Sequence, residues 1–181
     1  MISKKNIILT SFVALGTALL VLTQTAGSNR QYQLGGAWIG SDAQGDIWSA
    51  MQTPIDPDGR TAAGRVQFAA YNAGVAAMLS SLGADGLSDF TGPAAMISRD
   101  TAKWRTVGYA LKQGNPPVIQ GILVSQGTMK HTSPDSAVLN YTYYVYLPTA
   151  DANGDGLPDV GSNPLMTLPD VVGNVQRVPL Q

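Results

Sequence analysis

The rhythm of apolar and polar positions changes several times along the chain, and each change marks a boundary. From residue 7 to residue 22 there is no charge, and only Thr10, Ser11, Gly16 and Thr17 interrupt the apolar run. A surface helix of a globular domain carries a polar stripe, and this segment carries none. After a polar, Gly-rich stretch at 29–36 the rhythm becomes short. Strands are predicted at 37–41, 46–53 and 61–68, the last two joined as a hairpin through Asp56-Pro57-Asp58-Gly59. In that spacer Pro fixes φ, Asp can bond its own backbone, and Gly accepts positive φ.

Residues 69–82 are rich in Ala, Met and Leu and are followed by Gly83, a helix stop, which predicts one short helix in mid-chain. Residues 83–93 read as a loop. Two similar hairpins follow, at 95–111 around Ser98 to Ala102 and at 119–147 around Ser133 to Ala137. The stretch 138–147 is dense in Tyr, Val and Thr, which suit a pleated surface. On it Tyr141, Tyr143 and Val145 share one face, and Thr142, Tyr144 and Tyr146 the other. From Pro148 onward proline and glycine are frequent, and residues 149–181 read as an acidic loop and an irregular tail, with one last strand at 171–178. Successive hairpins without intervening helices predict an antiparallel meander.

Composition sharpens this picture. Lys4 and Lys5 precede the apolar run, and Thr25, Ala26, Gly27 and Ser28 follow it. A basic head, an apolar stretch and small residues at a cleavage point predict that residues 1–28 are a signal peptide or an N-terminal membrane anchor, so that the rest works in the periplasm, at the cell surface or in the medium. The chain has no Cys, which removes disulfides, thiolate metal sites and cysteine-linked lipid. All 12 acidic residues are Asp, a turn and cap residue, and none is Glu. The net charge of −1 lacks the basic footprint of a nucleic-acid binder.

Candidate chemistry is sparse. His131 is the only histidine and there is no Gly-x-Ser-x-Gly elbow; the residue reads as an exposed strand end beside the turn at Ser133. Asp42 with Asp46, and Asp56 with Asp58, read as turn formers. Asp151, Asn153, Asp155 and Asp159 place oxygens at alternate positions around Gly154 and Gly156. Calcium favours several hard oxygens converging from a short loop. The segment resembles the calcium loops of thrombospondin type-3 repeats, dockerins and EF-hands. That resemblance implies side-chain ligands from Asp151, Asn153, Asp155 and Asp159 and the carbonyl of Leu157. Ser162 stands where an EF-hand has its bidentate Glu.

Gly36-Ala37-Trp38 on the first strand resembles the Gly-x-Trp signature of lipocalins, in which the Trp closes one end of an antiparallel barrel. The expectation is a mainly β domain over 37–148, a curved antiparallel sheet or small lipocalin-like barrel with one short helix. An α+β cone of the NTF2-like or SnoaL-like kind is the alternative. The functional expectation is an exported, non-enzymatic accessory protein that binds a small apolar ligand through Trp38, Trp104, Tyr109, Tyr141 and Tyr143 and carries a structural calcium ion. The competing class is a small enzyme of the SnoaL-like kind with His131 as a base.

Overall fold

The computed structural model describes residues 32–179. The predicted export segment and most of the linker after it lie outside the described residues. Nine strands form in chain order: β1 (Gly36–Asp42), β2 (Ile47–Pro54), β3 (Thr61–Ala70), β4 (Gly86–Leu87), β5 (Phe90–Met96), β6 (Thr101–Lys112), β7 (Val118–Ser133), β8 (Ser136–Tyr146) and β9 (Met166–Arg177). One helix, α1 (Ala73–Ser81), lies between β3 and β4, and a 3₁₀ turn covers Pro148–Ala150. Strands β1, β2, β3, β5, β6, β7, β8 and β9 pair in that sequence, every pair antiparallel, and β9 pairs back to β1. The two-residue β4 extends the line of β5 along β6. The result is a closed eight-stranded up-and-down barrel, the connectivity of the lipocalin barrel, with no free edge left in the ring. Closure rules out the open cone held as the alternative.

Alternation sorts the side chains. On β8 Ala137, Leu139, Tyr141 and Val145 are buried while Val138 and Asn140 are exposed. On β2 Trp48 is buried between the exposed Ile47 and Ser49. Two inward glycines make room for the largest rings. A side chain at Gly40 would collide with the Trp48 indole, and one at Gly108 would collide with the Phe90 ring. Wide aromatics and bare backbone thus alternate across the barrel, which is how side chains fill a small one.

Three elements differ from the sequence expectation. The helix is shorter than 69–82: Ala69 and Ala70 continue β3, and the side chain of Asn72 caps the helix by accepting from the Val75 N–H at 3.0 Å. Gly83, at φ 71°, ends it as expected. The predicted loop 83–93 contains β4 and the start of β5, because Phe90 is the inward anchor of that strand at 2 % exposure. The predicted irregular tail holds the twelve-residue β9, which runs from Met166 and closes the ring. Its pattern is hidden in sequence by Pro169 and by Asp170 at φ 56°, where the pairing with β8 shifts between Tyr141 and Tyr143.

The two ends of the barrel are built differently. At one end, residues 32–35 lie across the opening. Leu34 is fully buried, its N–H donates to the Gly59 carbonyl at 3.1 Å, and its carbonyl accepts from Trp38 Nε1 at 3.1 Å. At the other end, Met78 and Leu79 of α1 pack on Phe90, Ala110, Leu123 and Val145.

Candidate functional site

The inward row that crosses the barrel wall shows where space is left. Gln52 on β2 pairs with Gly64 on β3, and Gly64 pairs with Gly92 on β5. Gly92 packs on the backbone of Thr106 on β6, and its missing side chain permits that approach. Thr106 pairs with Ser125 on β7, and Ser125 with Tyr143 on β8. Two consecutive members of this row have no side chain. Beside them lies an interior cavity of about 80 Å³, walled by Trp38, Trp48, Phe68, Phe90, Trp104, Tyr141 and Tyr143. The rings meet edge-on or tilted: Trp48 and Tyr141 at 6.2 Å and 83°, Trp104 and Tyr141 at 5.9 Å, Phe90 and Tyr143 at 6.3 Å.

Of the five side chains expected to contact a ligand, Trp38, Trp104, Tyr141 and Tyr143 line this cavity. Tyr109 does not. It lies on the outer face of β6, between the inward Gly108 and Ala110, and its hydroxyl donates to the Gly156 carbonyl at 3.0 Å. A one-residue step along a strand turns a side chain to the opposite face, and Tyr109 is one step out of phase with Trp104 and Thr106.

Tyr143 borders a second, larger space of about 490 Å³ between α1, the β1–β2 turn and β9, lined by Val75, Met78, Met166, Leu168 and Val171 together with Asp42 and Asp46. These aspartates are turn formers, as expected, and more. Asp42 Oδ1 accepts from the N–H groups of Gln44 and Asp46, each at 3.0 Å, while its Oδ2 accepts from the Tyr141 hydroxyl at 3.1 Å. Asp46 is 3 % exposed and accepts from the Asn72 N–H at 2.6 Å, which ties β2 to the helix cap. Burial pushes the Asp46 carboxyl above the usual range, the Asn72 bond opposes the rise, and the neighbouring Asp42 adds to it. Burial also raises both inward phenols. Tyr143 and Asp42 reinforce the rise at Tyr141, and Asp46 reinforces it at Tyr143, so both hydroxyls stay protonated at any physiological pH.

His131 is not an exposed strand end. β7 continues through it, it falls on the inward set with Leu123, Ser125 and Met129, and residues 32–35 cover it. It is 3 % exposed, stacked on Tyr32 at 5.1 Å and set edge-on to Trp38 at 5.7 Å. Neither ring nitrogen has a hydrogen-bond partner among the described residues. The imidazole belongs to the closed end and is absent from the cavity lining.

The acidic loop satisfies itself. Asp151 accepts from the N–H groups of Asp155 at 3.0 Å and Gly156 at 2.9 Å, Asn153 from Asp155 at 2.9 Å, Asp155 from Leu157 at 2.8 Å, and Asp159 from Ala152 at 3.0 Å. Among the described residues no three acidic or imidazole side chains converge as a metal site. The residues that sequence reasoning left out of the cavity are Trp48, Gln52, Phe68, Phe90, Thr106 and Ser125. Strict alternation from Trp38, Trp104 and Tyr141 along paired strands was the signal that could have found most of them.

No protein-family model matches the chain, and no curated protein matches it either. Among solved structures, one described as EF1p2_mFAP2b bound to DFHBI shares 17% identity, over 80% of this chain and 94% of that one, with a TM-score of 0.43.

Proposed function

We propose that this protein is exported through its N-terminal segment and is a non-enzymatic binder of a small apolar molecule, held inside the barrel. The observation that carries the reading is the aromatic-walled cavity beside Gly64 and Gly92, bounded by Trp38 and Tyr143. Barrel mouths and interiors are common ligand sites, with apolar walls and few polar groups. At about 80 Å³ the inner cavity is smaller than the roughly 300 Å³ usual for drug-sized ligands. Its occupant is therefore small. A side chain at Gly64 would meet only ordinary contacts, 3.5 Å from the Gly92 carbonyl and 3.8 Å from Gln52 Cγ, so Gly64→Val fills the cavity without a backbone collision. Titration of the protein with ethane, followed by NMR chemical shifts, should show saturable binding that Gly64→Val abolishes. Absence of binding to the unaltered protein, or equal binding to the variant, refutes the reading.

In the same reading the loop 151–159 takes a structural calcium ion. The oxygens of Asp151, Asn153, Asp155 and Asp159 that hold backbone N–H groups each keep a second lone pair, and the Leu157 carbonyl completes the set. Tyr109 anchors this loop to the barrel through Gly156.

A further inference from the structure

Two hydroxyls face the interior cavity with nothing to bond. Thr106 is 5 % exposed and Ser125 is 6 % exposed, both line the cavity, and neither hydroxyl has a hydrogen-bond partner among the described residues. Gln52 on the opposite wall adds a buried amide oxygen that also lacks a partner. The two hydroxyls are polar handles on a wall made mostly of aromatic and aliphatic carbon. Thr106 and Ser125 are register partners, and Ser125 is the register partner of Tyr143, so the handles form a row across β6, β7 and β8.

Charge narrows the occupant further. No Lys, Arg or His lines the cavity. Charged groups stand only behind the wall, Asp42 and Asp46 beyond Tyr141 and Tyr143 and Arg177 on the ring of Trp38. A carboxylate brought into this space would lose its hydration and find no cation on the wall itself.

We infer that the interior cavity selects an uncharged molecule, smaller than benzene and no longer than a chain of a few carbons, that carries one hydroxyl or similar hydrogen-bonding group seated on Thr106 and Ser125. This rests on the apolar-ligand reading and adds to it the polar group and the exclusion of acids. The size limit follows from comparison with engineered cavities of about 150 Å³, which take benzene.

The test uses three small probes, ethane, ethanol and formate, titrated into the full chain and followed by NMR chemical shifts. Ethanol is expected to bind about tenfold more tightly than ethane, the worth of one well-made neutral hydrogen bond, and formate is expected not to bind. The double variant Thr106→Val with Ser125→Ala should bring ethanol down to the affinity of ethane. Equal affinity of ethanol and ethane for the unaltered protein overturns the inference and leaves the apolar-ligand reading standing. So does formate binding as tightly as ethanol. Failure of both ethane and ethanol to bind overturns the two together. The comparison of probes on the unaltered protein decides the matter even if the double variant does not fold.

Discussion

The guanidinium of Arg177 lies 4.5 Å above the ring of Trp38. The same side chain donates to the Gln33 carbonyl at 2.8 Å and to the Gly35 carbonyl, and its Nε lies 3.4 Å from Asp135. One residue at the end of β9 therefore fastens the covering segment 32–35, the first strand and the β7–β8 turn. Replacing Arg177 with Ala removes a cation–π contact worth about 0.5–2 kcal/mol and at least one charged hydrogen bond worth about 1.5–3 kcal/mol. The expected loss is about 2–5 kcal/mol. Arg177→Lys keeps the charge without the planar fork and should fall between. Urea unfolding followed by tryptophan fluorescence measures this, and an unchanged midpoint for Arg177→Ala would show that the latch is not structural.

His131 makes the closed end sensitive to acid. Burial lowers its pKa from the ordinary value of about 6.5, the charge of Arg177 lowers it further, and Asp100 opposes the shift. The folded imidazole thus holds its proton less tightly than the unfolded one. The stability tied to its neutral form is complete above about pH 6.5 and is lost as the pH falls from there toward the depressed folded-state value. Unfolding midpoints should drop more between pH 7.5 and pH 5 for the natural protein than for His131→Phe, and the difference between the two cancels the carboxylates, including Asp46. Parallel pH slopes would refute the assignment.

Calcium should stabilise the chain at millimolar concentration. Loops of the extracellular class bind at roughly 10⁻⁴ to 10⁻³ M, and at ten times the dissociation constant the gain is about 1.4 kcal/mol. Calorimetry and thermal unfolding with and without calcium report it, and Asp151→Asn with Asp155→Asn should remove it. No heat and no shift at 10 mM calcium would leave the loop as a self-bonded turn.

The barrel depends on its last strand. A chain ending at residue 165 would leave β1 and β8 without their shared partner, exposing two unpaired edges. Size-exclusion chromatography should show aggregation, and the cooperative unfolding transition should be lost. A monomeric truncated chain with an intact transition would mean that β9 only decorates the fold.

The strands were legible where alternation was undisturbed. β2, β3, β6 and β8 follow from their own residues, and the structure places Trp38, Trp104, Tyr141 and Tyr143 on the inner face. Only the part of β9 from residue 171 was legible, because Pro169 and Asp170 sit in an irregularity that breaks the period before it. Tyr109 was misplaced because type alone suggested a pocket residue, while its phase along β6 sends it outward.

The sequence by itself determined a β-rich meander with one capped helix, tight Asp/Gly turns, an aromatic inner face and a cysteine-free chain, because each of these is set by neighbours a few residues apart. Only the tertiary structure decided that the meander closes, since β9 meets β1 across more than 120 positions of sequence. The same closure buried His131 beneath residues 32–35, drew Asp46 to the helix cap, and set the bare backbone of Gly64 and Gly92 opposite the hydroxyls of Thr106 and Ser125. Those relationships depend on which strands lie side by side, and local rhythm carries no record of that.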